Sequence, residues 1–113
     1  MSTSMNLLIA QCSPQREAIA AADLEGWLQQ VPGWKLAANG DTIECRFEFH
    51  NFYQTMAFVN AVAEIAHGQD HHPEMQVSFD ACALSLSTLS AKGLTSNDFI
   101  CAAQISALPE GSV

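Results

Sequence analysis

At 113 residues the chain has room for one domain with a real core, and its 49% hydrophobic and 14% charged composition excludes a disordered polypeptide. The net charge is −8 with only four Lys and Arg residues, so no basic cluster is available to displace counterions from phosphates, and direct nucleic-acid binding is disfavoured. The apolar run Leu7 to Ala10 is too short to span a membrane and has no basic residue before it, so neither a membrane anchor nor a signal peptide is expected.

Residues 1–12 read as a variable N-terminal arm, and residues 13–113 as the folded domain. Ser13-Pro14 reads as a helix start, with serine at the cap and proline at the first helical position. Leu24, Trp27, Leu28 and Val31 recur at helical spacing until Pro32-Gly33 stops them. Trp34 to Ala38 forms a short strand, and Asn39-Gly40 predicts a tight hairpin turn, because both residues tolerate positive φ. From Thr42 to Phe49 the chain alternates. Ile43, Cys45, Phe47 and Phe49 point one way, and Thr42, Glu44, Arg46 and Glu48 the other.

Asn51, with Gln54 three residues on, predicts the start of a second helix, and Gly68 its C-terminal end. Phe52, Met56, Val59, Ala63 and Ala66 form its apolar stripe, widened by Phe58, Val62 and Ile65. A stripe this broad suits packing on a sheet and on a second subunit. Met75, Val77 and Phe79 share the parity of a third strand, so Phe79 is expected in the core. A turn near Asp80-Ala81 leads into a fourth strand, Cys82 to Thr88. Thr95 and Asp98 form a Thr-x-x-Asp capping box for a last helix running toward Pro109. The predicted fold is a single α+β domain in the order α-β-β-α-β-β-α, a four-stranded antiparallel sheet with helices packed on one face.

Four cysteines, at 12, 45, 82 and 101, match no CxxC pair and no zinc framework. They read as free, largely buried thiols, which suggests a reducing compartment and a cytoplasmic location. Three of the four histidines fall in His67-Gly68-Gln69-Asp70-His71-His72-Pro73. Neutral imidazole both donates and accepts protons near neutral pH, and two adjacent rings can address different atoms of one ligand. Asp70 can orient or charge-stabilise one of them. Acid–base catalysis on a small heterocycle and a structural histidine pair beside Pro73 are both open readings. A metal site on His67 and His71 is disfavoured, because Gly68 breaks the helix their spacing needs and no further ligand follows.

From His67 to Asp98 the chain resembles the signature of the pterin-4a-carbinolamine dehydratase family. His67, three spacers, His71-His72-Pro73, Phe79 and Asp98 fall at the family's places without gaps. Glu74, Leu86-Ser87-Thr88, Gly93-Leu94-Thr95, Pro32-Gly33-Trp34 and Asn51-Phe52 add to the likeness. The resemblance implies dehydration of 4a-hydroxytetrahydrobiopterin to quinonoid dihydropterin, in tetrahydrobiopterin recycling, with no metal or other cofactor. It implies His71 and His72 as the acid–base pair. Asp70, Pro73, Ser87, Thr88, Leu89 and Ser90 would hold the pterin, with His67 and Asp98 as possible orienting residues. Relatives form dimers or tetramers, so a homodimer or homotetramer is expected. Two positions depart from the pattern. Leu89 stands where active members carry a third histidine, and leucine can neither donate nor accept a proton. Met75 stands where tryptophan is usual, which would remove a flat ring from the pterin pocket's wall. These departures favour the alternative of a weak or inactive dehydratase-like protein acting as a binding or assembly factor.

Overall fold

The computed structural model describes residues 6–112. Its elements are α1 (Leu24–Leu28), β1 (Lys35–Leu36), β2 (Ile43–Glu48), α2 (Phe52–Gln69), β3 (Glu74–Ser78), β4 (Ala81–Leu86) and α3 (Ser96–Ser106), with short 3-10 turns at Ala21–Asp23, Leu89–Ala91 and Pro109–Gly111. The four strands form one antiparallel sheet in the order β1-β2-β4-β3. This is the predicted α+β architecture.

Register explains which face is buried. Ile43, Cys45 and Phe47 of β2 lie opposite Leu86, Leu84 and Cys82 of β4, and Met75 of β3 lies opposite Leu84. Because side chains alternate along a strand, all of these point to one face. There they meet Phe58 and Val62 of α2 and Phe99, Ile100 and Ile105 of α3, all fully buried. Phe58 stacks obliquely on Phe47 at 4.5 Å and on Phe49 at 5.2 Å between ring centroids. The opposite face carries Glu44 across from Ser85 and Ser85 across from Glu74. The sheet is therefore apolar toward the helices and polar on its open side. Among the described residues, no helix is long and apolar enough to cross a membrane.

Several local expectations give way. Ser13-Pro14 starts no helix; residues 10–20 run without regular structure. Asn97 takes over the local bonds, its side chain accepting from Ser13 N at 3.1 Å and donating to Ser13 O at 2.7 Å. Tertiary contacts thus outweigh a short-range capping signal. This segment lies close against the core: Gly93 leaves no space for a Cβ, which would stand 2.8 Å from Ala18. Val31 lies beyond the end of α1, in the turn closed by Gly33 at φ 94°. The β1–β2 connection is wider than a two-residue turn. Ala37 N donates to Thr42 O, and only Gly40 of the predicted pair has positive φ.

The cap of α2 forms as expected, with Gln54 N donating to Asn51 Oδ1 at 2.8 Å. Its end does not. Gly68 lies inside the helix, and Asp70 is the left-handed residue, φ 52° and ψ 43°. The helix stripe is also narrower than expected. Phe52 is 51% exposed, and Thr55, Phe58, Val62 and Ala66 are the residues fully inside. Phe79 is a second correction: it sits in the Phe79-Asp80 turn, 64% exposed, rather than in the core. Strand parity alone puts it on the helix side, but β3 is an edge strand and ends at Ser78, before it.

Candidate active site

The site begins at the end of α2. Asp70 N donates to His67 O, and His71 N reaches back to Ala66 O at 3.1 Å. This pair of bonds with one left-handed residue is a Schellman closure, and aspartate tolerates that conformation better than most side chains. It turns the chain sharply, so that His71 and His72 leave the helix axis and enter the loop before β3.

His71 is then anchored from below. Its Nε2 lies 2.7 Å from Asp98 Oδ1, with the histidine side chain 12% exposed and the aspartate fully buried. Asp98 is in turn the centre of a closed network. Its Oδ2 accepts from Thr95 N at 2.9 Å and from the Thr88 hydroxyl at 2.8 Å. Since Thr88 spends its proton on Asp98, the Thr95 hydroxyl donates to Thr88 Oγ1, 2.8 Å away. Thr95 Oγ1 also accepts from Asn97 N. One carboxylate therefore closes the capping box of α3 and holds a histidine ring 27 residues away in sequence. One oxygen of Asp98 thus serves the cap of α3, and the other meets His71.

This bond raises the His71 pKa above the usual histidine value of 6.5, chiefly through the hydrogen bond to Asp98; partial burial opposes it, and the charges of Asp98, Cys12 and Asp70 add to it. Nδ1 is the ring nitrogen left free of Asp98.

Both histidines line one open cavity of about 630 Å³ on the polar side of the sheet. Asp70, Ser87, Thr88, Leu89 and Ser90 line it as well. His72 is exposed there, in contrast to His71. Glu44, Glu74 and Ser85 complete the floor and also border an adjoining hollow of about 540 Å³. Glu44 and Ser85 were legible only as the outward half of the strand alternation, and Glu74 only through the family resemblance. Ala37, Asn39 and Thr42 close the cavity from the β1–β2 loop, which sequence reasoning did not connect to the histidines.

This arrangement meets a matching result from known proteins. The family model described as pterin 4 alpha carbinolamine dehydratase matches residues 17–108. The chain belongs to the pterin-4a-carbinolamine dehydratase family. It is 45% identical over 113 residues to a protein of Stenotrophomonas maltophilia (strain R551-3) named "Putative pterin-4-alpha-carbinolamine dehydratase", covering 97% of each chain. A Xylella fastidiosa (strain 9a5c) protein of the same name is 43% identical over the full length of both. A crystal structure of a transcriptional coactivator/pterin dehydratase from Brucella melitensis superposes with a TM-score of 0.77 at 25% identity, covering 80% of this chain and 97% of that one. A pterin dehydratase-like protein described as a RuBisCO assembly factor in the alpha-carboxysome shares the fold at a TM-score of 0.59 and 20% identity, over 69% of this chain and 90% of that one.

Within this family fold, three residues expected at the site stand elsewhere. His67 is exposed on the last turns of α2 and does not line the cavity; its backbone carbonyl, not its ring, serves the loop. Pro73 is half-buried and also outside the lining. Met75, which the resemblance sets in the pterin pocket's wall, packs against the hydrophobic core and does not line the cavity beside the histidines. Leu89 does border the cavity, with 89% of its surface exposed.

Proposed function

We propose that this chain dehydrates a 4a-hydroxytetrahydropterin to the quinonoid dihydropterin, with His71 and His72 moving the two protons. The observation that carries this reading is the pair of adjacent imidazoles facing one open cavity, one of them anchored to a buried carboxylate. The reaction expels the 4a-hydroxyl as water and removes the N5 proton, so it calls for an acid and a base a few ångströms apart. His71, biased toward its protonated form by Asp98, supplies the proton to the leaving hydroxyl through Nδ1. His72, exposed beside it, accepts the proton from N5. Ser87, Thr88, Ser90 and Asp70 border the space for the polar edge of the pterin, and Leu89 offers an apolar contact to its ring. Such a cycle serves tetrahydropterin recycling in the cytoplasm, and the protein works there as a homo-oligomer.

The test follows quinonoid product by absorbance after adding the protein to chemically generated 4a-hydroxytetrahydropterin. Acceleration over buffer, lost in His71→Ala and in His72→Ala, is expected. A rate equal to buffer refutes the enzyme reading. Leu89 favours a second reading, a pterin dehydratase-like binding or assembly factor, because it puts an exposed alkyl chain where a third proton carrier would stand. Titration with a dihydropterin analogue separates the two: the enzyme binds it and loses it on histidine substitution, whereas an assembly factor shows no histidine-dependent binding.

A further inference from the structure

The proposed acid–base chemistry leaves one pair of reactive side chains unused. Cys12, on the irregular N-terminal segment, and Cys101, on α3, are 89 residues apart in sequence, yet their Sγ atoms stand 3.9 Å apart. Both lie against the His71 wall. Cys101 is three residues beyond Asp98 on the same helix, and its thiol reaches toward the His71 carbonyl at 3.9 Å. Cys12 lines a hollow of about 220 Å³ together with Gln69, Asp70, His71, Thr88 and Asn97. Cys101 is buried behind it.

We propose that Cys12 and Cys101 form a reversible redox pair, in which a hydroperoxide entering beside His71 oxidises Cys12 and Cys101 then closes a disulfide. A disulfide needs the sulfurs about 2 Å apart, so they must approach by about 2 Å more. The Cys12 segment can supply that movement. It belongs to no helix or strand, and the Cys12 N–H is held by a side chain, Gln69 Oε1 at 2.7 Å, rather than by a backbone ladder.

The two sulfurs divide the roles. Either thiol can donate across the Cys12–Cys101 contact, and the Cys12 thiol also lies 3.6 Å from the Asn97 carbonyl. The hydrogen bond with Cys101 lowers the Cys12 pKa; burial works against this, the neighbouring His71 favours it, and the charge of Asp98 opposes it. Cys101 is pushed strongly upward by the same hydrogen bond and by burial, so it keeps its proton. The Cys12 thiolate attacks one oxygen of the hydroperoxide. An S–O bond forms, the O–O bond breaks, sulfur loses two electrons, and the departing oxygen takes up a proton to leave as water or an alcohol. Cys101 Sγ then attacks the Cys12 sulfur. The S–S bond forms, the S–O bond breaks, and the departing hydroxide takes the Cys101 proton as water. Cys45 and Cys82 offer no such chemistry. Burial raises both thiols, and among the described residues neither has a thiol neighbour in hydrogen-bonding contact.

The test treats the intact chain with a few equivalents of hydrogen peroxide, blocks remaining thiols with iodoacetamide, and reads the mass and the peptide map. A monomeric product lacking two hydrogens is expected, restored by dithiothreitol, with one cross-linked peptide pair holding Cys12 and Cys101, and with Cys45 and Cys82 alkylated. Cys12→Ser should abolish the cross-link. Cys101→Ser should leave a Cys12 sulfenic acid trapped by dimedone, which keeps the test informative if either variant folds poorly. Irreversible oxidation without a cross-link, a link through Cys45 or Cys82, or an unchanged product in Cys12→Ser would overturn the proposal. None of these readouts depends on turnover, so the result stands apart from that of the dehydratase assay.

Discussion

The two sides of the cavity are built to different standards. On the Asp98 side, His71, Thr88, Thr95 and Asp98 are tied by bonds of 2.7–2.9 Å, and the carboxylate is fully buried. On the Leu89 side, which follows Thr88 directly in the chain, Leu89 and Ser90 ride a short 3-10 turn; Leu89 is 89% exposed, and the Ser90 hydroxyl donates to Gln15 O. Buried polar groups cost free energy unless every partner is met, so the first side accepts few substitutions. The second can change residue type without disturbing the fold. Position 89 therefore falls where a change of side chain costs little structure.

The largest break in this contrast comes from Asp98→Ala. It leaves the His71 ring, the Thr88 hydroxyl and the Thr95 N–H without their acceptor, and a loss of about 3–5 kcal/mol in urea unfolding is expected. Asp70→Val comes next. A β-branched residue at φ 52° costs about 1–2 kcal/mol, whereas Asp70→Gly should hold stability, since glycine adopts that conformation freely. If both variants unfold alike, the left-handed closure of α2 is not what the position requires.

A smaller effect is the pH dependence that His71 lends to stability. Asp98 holds the folded His71 above 6.5, so folding favours the protonated ring. Its stabilisation is complete below about 6.5 and fades as pH rises through the raised folded value. The stability difference between the wild type and His71→Gln should therefore shrink with rising pH across that window. Smallest of all is Leu89→Ala, expected within about 0.5 kcal/mol of the wild type. Leu89→His should equally leave stability alone while raising the dehydration rate, and a fall in rate would argue against the cavity edge as a place for a proton carrier.

The physical source of each signal decides how much of this was legible beforehand. Strand parity named the buried faces of β2 and β4, because one face of the sheet is covered along their whole length. The same parity misled at Phe79, where the edge strand ends before it. Thr-x-x-Asp announced the cap of α3, but nothing local announced that the second oxygen of Asp98 would meet His71, 27 residues away. The C-terminal end of α2 was mistaken for Gly68 because glycine is the commoner left-handed residue, while Asp70 does that work here. The irregular segment from Leu7 to Ala20 carries no periodicity at all. Its placement comes from bonds to Asn97, Gln69 and Gln104, and so the contact between Cys12 and Cys101 was invisible in the sequence.

The most direct measurement is the initial rate of quinonoid dihydropterin formation from 4a-hydroxytetrahydropterin, compared for the wild type, His71→Ala and His72→Ala at one pH near neutrality. Acceleration by the wild type, with each variant losing most of it while staying folded, is the outcome predicted from two imidazoles sharing one cavity. An accelerating protein whose two variants keep the full rate would contradict that claim and move the chemistry to another part of the surface.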